Sequence, residues 1–367
     1  MAQAFGSSFG QIRSVSQRMD GDRSGLAVVV IAVLAFLMFF TAIGALFVGA
    51  SEAAVLDVLL ARLGFLDRSL LKVADIVIVE NIRIPRIILG MFIGAGLAVS
   101  GAVMQGLFRN PLADPGIVGV SAGAALGAVS IIVIGGTLLA DFTETVGAFA
   151  LPVAAFFGAL FVTSVLYAVA TRHGRTSVAT MLLAGIAIGA FSGALIGIFT
   201  FMADDLQLRE LTFWGLGSLA GATWMKIFTA GPIILVVLFA SPFLAKSLNA
   251  LALGENAAMH VGIPVQRMKN IAIIMVSAST GAAVAVSGGI GFVGIVVPHI
   301  LRLAIGPDHR YLLPASALFG AVFIVLADCV SRIIVAPAEL PIGIVTATIG
   351  APFFLWILLR RRDMMDM

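Results

Sequence analysis

Apolar runs of about twenty residues recur along this chain, separated by short polar segments rich in Pro, Gly, Asn and Arg. A helix rising 1.5 Å per residue needs about twenty such residues to cross a bilayer core. The runs predict spans over 26–49, 86–107, 116–139, 147–170, 178–201, 227–245, 269–287, 292–306, 313–332 and 342–359. The 292–306 run is short, and Gly288-Gly289-Ile290-Gly291 extends it. The apolar stretches are continuous rather than alternating, which favours helices over a barrel. A further apolar segment, Leu211 to Ala220, is too short to span and is expected at the membrane surface.

Ten spans place both termini on one side. With the N-terminus inside, 14 of the 22 Lys and Arg residues fall on the inner side, among them Arg13, Arg18, Arg109, Arg172, Lys246 and Arg310. Cytoplasmic loops carry the excess of Lys and Arg, so this orientation is expected. Ala98-Val99-Ser100-Gly101 recurs as Ala285-Val286-Ser287-Gly288, a faint internal repeat. Five spans per half would give the halves inverted topology, as in many transporters. Three ridges of small residues repeat every four positions: Gly119, Gly123 and Gly127; Gly185, Gly189, Gly193 and Gly197; and Gly343, Ala347 and Ala351. Each lies on one helix face. The spacing serves static close packing or, alternatively, a smooth pathway surface.

Composition sharpens the class. Hydrophobic residues make up 60% of the chain and charged residues 11%, against about 25% charged in soluble domains. An integral membrane protein follows, since a soluble globule this apolar would expose large sticky patches. The net charge of +3 carries no nucleic-acid signal. The single Cys329 excludes an internal disulfide. Residues 1–24 are polar and read as a cytosolic extension ahead of one membrane domain, 25–362; the first apolar run shows no convincing cleavage site.

Catalytic chemistry is not legible. His173, His260, His299 and His309 are far apart in sequence, and no Cys/His cluster has metal-ligand spacing. Lys72, Lys226, Lys246 and Lys269 all lack the context of a phosphate-binding loop. The chain is therefore expected to bind no metal or cofactor and not to hydrolyse ATP by itself. Asp328 alone lies deep in a span; it reads either as a proton relay or as a satisfied helix-contact residue. Arg83, Arg86 and Arg332 sit at span ends on the outer side, where the default role is interfacial anchoring. Bidentate pairing with carboxylates is the alternative.

Two loops stand out. Arg109-Asn110-Pro111-Leu112-Ala113-Asp114-Pro115-Gly116 is a polar double-proline turn between two spans. Gly254-Glu255-Asn256-Ala257-Ala258-Met259-His260-Val261-Gly262-Ile263-Pro264 carries helix signals: Glu255 at a helix start, Gly262 as a stop, and Pro264 opening a second short helix that ends near Arg267 and Lys269. Two short angled helices would make a rigid docking knob under the membrane.

These motifs resemble the FecCD, or BtuC-like, permeases over roughly residues 80–362. The pieces that carry the resemblance are Ile82-Arg83-Ile84-Pro85-Arg86, Ser100-Gly101-Ala102-Val103-Met104-Gln105, the double-proline turn, Gly291-Phe292-Val293-Gly294-Ile295-Val296-Val297-Pro298-His299, and Ala338-Glu339-Leu340-Pro341-Ile342-Gly343 with Gly350-Ala351-Pro352. The resemblance implies an all-α fold of ten-helix subunits forming a homodimer with one pathway at its interface. It implies two ATP-binding-cassette subunits inside, which use the ATP and Mg, and a periplasmic binding protein outside. It assigns residues 254–269, Arg267 included, to coupling helices on the ATPase. It assigns Asn110, Pro111 and Leu112 to the cytoplasmic gate, and Arg83, Arg86 and Arg332 to docking of the binding protein. It assigns the fifth span, with Gly185, Gly189, Gly193 and Gly197, to the pathway lining, and Leu211 to Ala220 to the outer gate. The loop 175–180, also at the inner gate, departs from the family pattern, and no single gate residue is assigned there. Asp205-Leu206-Gln207-Leu208-Arg209 with Leu211 to Gly221, and Gly119 to Gly127, are most similar to haem permeases. Haem is thus the expected cargo of an inner-membrane importer, with a ferric siderophore or cobalamin as alternatives. An ion-driven secondary transporter using Asp328 is a distant alternative. A membrane-embedded enzyme lacks the convergent polar side chains it would need.

Overall fold

The computed structural model describes residues 23–49, 51–172 and 175–362. Apart from Arg23 and Ser24 the N-terminal extension lies outside the described residues, and so does His173. The helices in order are α1 (Ser24–Phe47), α2 (Val55–Arg62), α3 (Val73–Ile76), α4 (Ile84–Leu107), α5 (Val120–Ile134), α6 (Ala140–Val146), α7 (Ala150–Ala170), α8 (Val178–Met202), α9 (Asp205–Leu216), α10 (Trp224–Ala252), α11 (Glu255–His260), α12 (Val265–Ser287), α13 (Val293–Ile305), α14 (His309–Ile333) and α15 (Ile342–Arg362). The strands among the described residues, Thr171–Arg172 and Arg175–Thr176, pair antiparallel and join α7 to α8.

Among the described residues seven helical stretches are long and apolar enough to cross a membrane, and the shorter apolar helices α5, α13 and α15 bring the number to ten. They fall one for one on the ten expected spans. The second span begins earlier than its hydrophobic run, because helix already runs from Val73 through a wide π-turn over Val77–Arg83. Pro85 follows that turn, and having no N–H it could not close the tighter ladder there. The short helix expected at the membrane surface also starts earlier, at Asp205 rather than Leu211. Asp204 caps it: its carboxylate accepts from the Gln207 amide at 2.8 Å, and the Gln207 side chain accepts from the Asp204 amide at 3.1 Å. This reciprocal pair satisfies two orphan donors at the helix start.

The core is organised on α4, which is buried over most of its length and packs against α10, α12, α13 and α14. In lipid the helices gain little from hydrophobic exclusion, so close backbone approach supplies the attraction. A Cβ on Gly94 would lie 2.1 Å from the Gly320 carbonyl of α14, and one on Gly101 would lie 2.0 Å from the Gly294 carbonyl of α13. Gly123 and Gly127 pack the same way against Gly158 and Ala154 of α7. That ridge is static packing. The two copies of Ala-Val-Ser-Gly serve different ends: Gly101 is a mid-helix contact, whereas Gly288, at φ +73°, terminates α12.

The loops gather at two ends. One end holds Arg23, the α4–α5 turn, the α10–α12 segment and the α13–α14 turn. The other holds the segment after α1, the outer helix α9 and the loop between α14 and α15.

Candidate functional site

At the first end, the double-proline turn is built twice from the same local device. Asn110 Oδ1 accepts from the Leu112 amide at 3.0 Å, and Asp114 Oδ1 accepts from the Gly116 amide at 2.8 Å. Each side chain thus closes a turn around the proline that follows it. The turn leaves α4 through a 6→1 bond from the Asn110 amide to the Gln105 carbonyl, with Arg109 in the left-handed region at φ +49°. Glycine normally fills that position. Arg109 and Asn110 are exposed, Pro111 and Leu112 half-buried. Burial pushes the Asp114 carboxyl above its ordinary range, against the opposing pull of the Gly116 amide.

Beside this turn lies α11. It starts after Gly254 (φ +110°) and stops at Gly262 (φ +85°), where the Ile263 and Gly262 amides return to the Ala258 and Met259 carbonyls. Ala258 anchors the knob in the core, while Met259, His260 and Val261 face outward. The expected second short helix does not exist as a separate element. Residues after Pro264 are the first turns of α12, which runs unbroken from Val265 to Ser287. The polar residues Gln266, Arg267, Lys269 and Asn270 suggest a surface segment, but Lys269 is buried and pairs with Glu255 at 2.7 Å, tying α11 to α12. Arg109 Nη1 stands 3.9 Å from the place a Cβ on Gly254 would take. The two loops the sequence singled out are therefore neighbours.

At the other end Arg83, Arg86 and Arg332 are all buried. Arg86 grips Asp328 through Nε and Nη2 (3.0 and 2.8 Å) and Glu339 through Nη1 at 2.8 Å. Arg332 reaches the other oxygen of Asp328 at 2.8 Å and donates to the Val48 carbonyl at 3.0 Å. Arg83 donates to the Leu46 carbonyl at 2.7 Å and to that of Ser51. Together they satisfy carbonyls at the C-terminal end of α1, where positive charge is also favoured by the helix dipole. Asp328 is thus a satisfied helix-contact residue joining α4 to α14. Glu339, partly exposed, is the member of the cluster nearest solvent, and the sequence reading gave it no role.

The ridge on α8 differs from the packed ones. A Cβ on Gly189, Gly193 or Gly197 would meet nothing within 4 Å, so this face is open in the single chain. The third ridge joins the outer helix instead: a Cβ on Gly343 would lie 2.0 Å from the Leu216 carbonyl. Gly215, Leu216, Gly289, Gly343, Ile344, Ala347 and Thr348 line a cavity of about 440 Å³ there. Ser218 donates to the Ser287 carbonyl at 2.7 Å, so the end of α12 touches the end of α9 directly.

Comparison with known proteins identifies the family of this fold. The sequence model of the FecCD transport family matches residues 25–360. The hemin transport system permease protein HmuU of Yersinia pestis is 46% identical over 286 residues, 77% of this chain and 83% of that protein. The cobalamin import system permease protein BtuC of Halobacterium salinarum is 45% identical over 282 residues, 77% of this chain and 73% of that one. The vitamin B12 import permease BtuC of Salmonella paratyphi A is 43% identical over 77% of this chain and 83% of its own. Among solved structures, a metal-chelate type ABC transporter in an inward-facing conformation aligns with a TM-score of 0.76 at 29% identity, covering 90% of this chain and 99% of that one. The chain belongs to the FecCD transport family and is a multi-pass membrane permease of a metal-chelate type ABC importer.

Proposed function

We propose that two copies of this chain form the pathway of a haem importer in the bacterial inner membrane, with both termini in the cytoplasm. A periplasmic binding protein delivers haem outside, and two ATP-binding-cassette subunits, which use the ATP and Mg, dock on residues 254–269. The observation that carries this reading is the juxtaposition of Gly254 and the Arg109 side chain. An ATPase that moves α11 acts directly on the turn holding Asn110, Pro111 and Leu112, the inner gate in this reading. The open face of Gly189, Gly193 and Gly197 is where the second copy and the cargo meet; Gly185, first on the same ridge, is buried within the chain. Alternating access then opens the inner end while α9 closes the outer one.

Docking of the binding protein on Arg83, Arg86 and Arg332 takes a specific form. Their donors are already used within the chain, so an incoming carboxylate has to replace Glu339 on Arg86. The hemin permease relative and the haem-like segments at 119–127 and 205–221 favour haem. The two BtuC relatives support the second reading, cobalamin carried by the same machinery, since identities of 46%, 45% and 43% barely separate the cargoes. A ferric siderophore is the third. The test is reconstitution in liposomes with the cognate ATPase and binding protein, supplied in turn with haem, ferric siderophore and cobalamin. ATP-dependent uptake of haem alone supports the assignment. Uptake of another cargo overturns haem and leaves the importer, and failure of any ATPase to associate overturns both.

A further inference from the structure

We propose that the cavity between the start of α1 and the α13–α14 turn binds the phosphate of an anionic phospholipid headgroup. The cavity has a volume of about 570 Å³ and is lined by Arg23, Ser24, Arg302, Asp308, Arg310 and Tyr311, among others. Three guanidinium groups and one carboxylate therefore face one space. The carboxylate neutralises one of the three: Asp308 accepts from the Asn249 side chain at 2.6 Å and pairs with Arg310 at 3.0 Å, which leaves Arg23 and Arg302 without a counter-charge. Arg302 donates to the Gln105 side chain and Arg23 to the Leu303 carbonyl at 3.3 Å. Among the described residues no carboxylate lies within ion-pair distance of either. Arg302 is half-buried, and a partly desolvated charge whose partner is a neutral amide lacks a counter-charge, which is costly. A ligand with several anionic oxygens removes that cost, and the planar guanidinium matches phosphate in bidentate fashion.

The position selects lipid over free phosphate. The helices that bound the cavity carry exposed apolar side chains: Leu26, Val29 and Val33 on α1, which starts at the cavity-lining Ser24, and Leu303 on α13, next to Arg302. These belong to helices that cross the membrane, so the cavity opens where the hydrocarbon face ends. Acyl chains lie along that face while the headgroup reaches the arginines. Gly306, at φ +91°, turns the chain back against Arg23, which closes the cavity on its far side. Basic pockets between spans at the cytoplasmic interface are suited to such headgroups. The inference rests on the chain crossing a membrane and not on its cargo.

The test uses the full chain in detergent, titrated with phosphatidylglycerol or phosphatidylcholine. Retained lipid is read by native mass spectrometry and stabilisation by the thermal midpoint. Phosphatidylglycerol is expected to be retained and to raise the midpoint, and phosphatidylcholine is not. Arg23→Gln and Arg302→Gln should each weaken apparent affinity about fivefold. Arg209→Gln, an exposed arginine at the opposite end, should change nothing. If Arg302→Gln does not fold, Arg23→Gln, an exposed position at the helix start, carries the test. Equal retention of both lipids, or equal retention by the variants, overturns the proposal. So does full stabilisation by inorganic phosphate or glycerol 3-phosphate, which would make the ligand a soluble one. Lost ATPase co-purification in Arg23→Gln with unchanged lipid retention would make the cavity a protein contact, and also overturns it.

Discussion

Replacing Asp328 with Asn separates a structural carboxylate from a proton relay. The cluster around Arg86 contains three arginines and two carboxylates, Asp328 and Glu339, all buried except Glu339. The substitution raises its net charge from +1 to +2. It also swaps one acceptor oxygen for an NH₂ group that must face a guanidinium donor, either Arg86 at 2.8 Å or Arg332 at 2.8 Å. Breaking a buried pair by removing one partner costs about 3–5 kcal/mol, a large share of the 5–15 kcal/mol typical of folded proteins. Unfolding of the purified chain in detergent should register that loss. Adding Arg332→Gln should recover part of it, because one stranded charge goes. ATP-driven uptake per folded molecule should follow the folded fraction with an unchanged pH profile. The reasoning is refuted if Asp328→Asn unfolds like the parent, yet uptake collapses while the parent transports without its ATPase. That outcome makes Asp328 the relay.

Three further outcomes follow from the geometry. Gly101→Ala should separate α4 from α13 and cost about 1–3 kcal/mol in detergent, whereas Gly193→Ala, with open space around it, should leave the stability of the single chain unchanged; any transport defect in Gly193→Ala then reports on the subunit face. Glu339→Gln should tighten binding of the cognate binding protein, measured by pull-down at low salt, because the competitor for Arg86 loses its charge; unchanged or weaker binding counts against docking through Arg86. Asp114 and Asp308 should show opposite pH signatures. Burial raises Asp114, so its folded state loses stability as pH rises from 3.8 through the higher folded value; Asp114→Asn, which keeps the oxygen for the Gly116 amide, should be more stable than the parent at neutral pH and equal to it in acid. Burial also pulls Asp308 upward, but bonds from the Arg310 amide, Asn249 and the Arg310 side chain outweigh it, so its contribution is full above 3.8 and fades as pH falls; Asp308→Asn should be less stable at neutral pH, and the gap should close in acid.

The ten spans were legible because a bilayer imposes a length on every apolar run, whatever packs beside it. Contacts between distant runs impose nothing comparable on the sequence. Arg86 and Asp328 are 242 positions apart, so arginines at span ends read as interfacial anchors although they are buried partners. Lys269 hid its role in the same way: it reads as the end of a separate short helix until Glu255, fourteen positions earlier, is seen against it. Other differences were readable in principle. Asp204 and Gln207 are spaced as a capping box and mark the true start of α9. The two Asx-Pro pairs, Asn110-Pro111 and Asp114-Pro115, announced a built turn. The ridges at 123–127 and 189–197 have the same pattern but opposite fates, because only the helix opposite decides whether a glycine is covered.

The unbroken α12 changes what α11 can do in the proposed importer. Its first turns follow Pro264, and Lys269 clamps them to α11 through Glu255 at 2.7 Å. Its last residue, Ser287, receives the Ser218 amide just beyond α9, and a Cβ on Gly288 would lie 2.1 Å from the Trp214 carbonyl. Twenty-three helical residues, about 35 Å at 1.5 Å per residue, therefore join the knob to the outer helix with no joint between them. In the proposed importer a push on α11 tilts a rod whose far end is wedged against α9, while Arg109, beside Gly254, passes the same push to the 109–116 turn. The clamp is the weak link, since Glu255 is partly exposed whereas Lys269 is buried. Lys269→Met should keep the rod and its packing but release α11 from it. The expected result in liposomes is continued ATP hydrolysis with less cargo moved per ATP, and unchanged co-purification of the ATPase. If cargo per ATP stays at the parent value, α11 acts through the Arg109 turn alone, and α12 is only a scaffold.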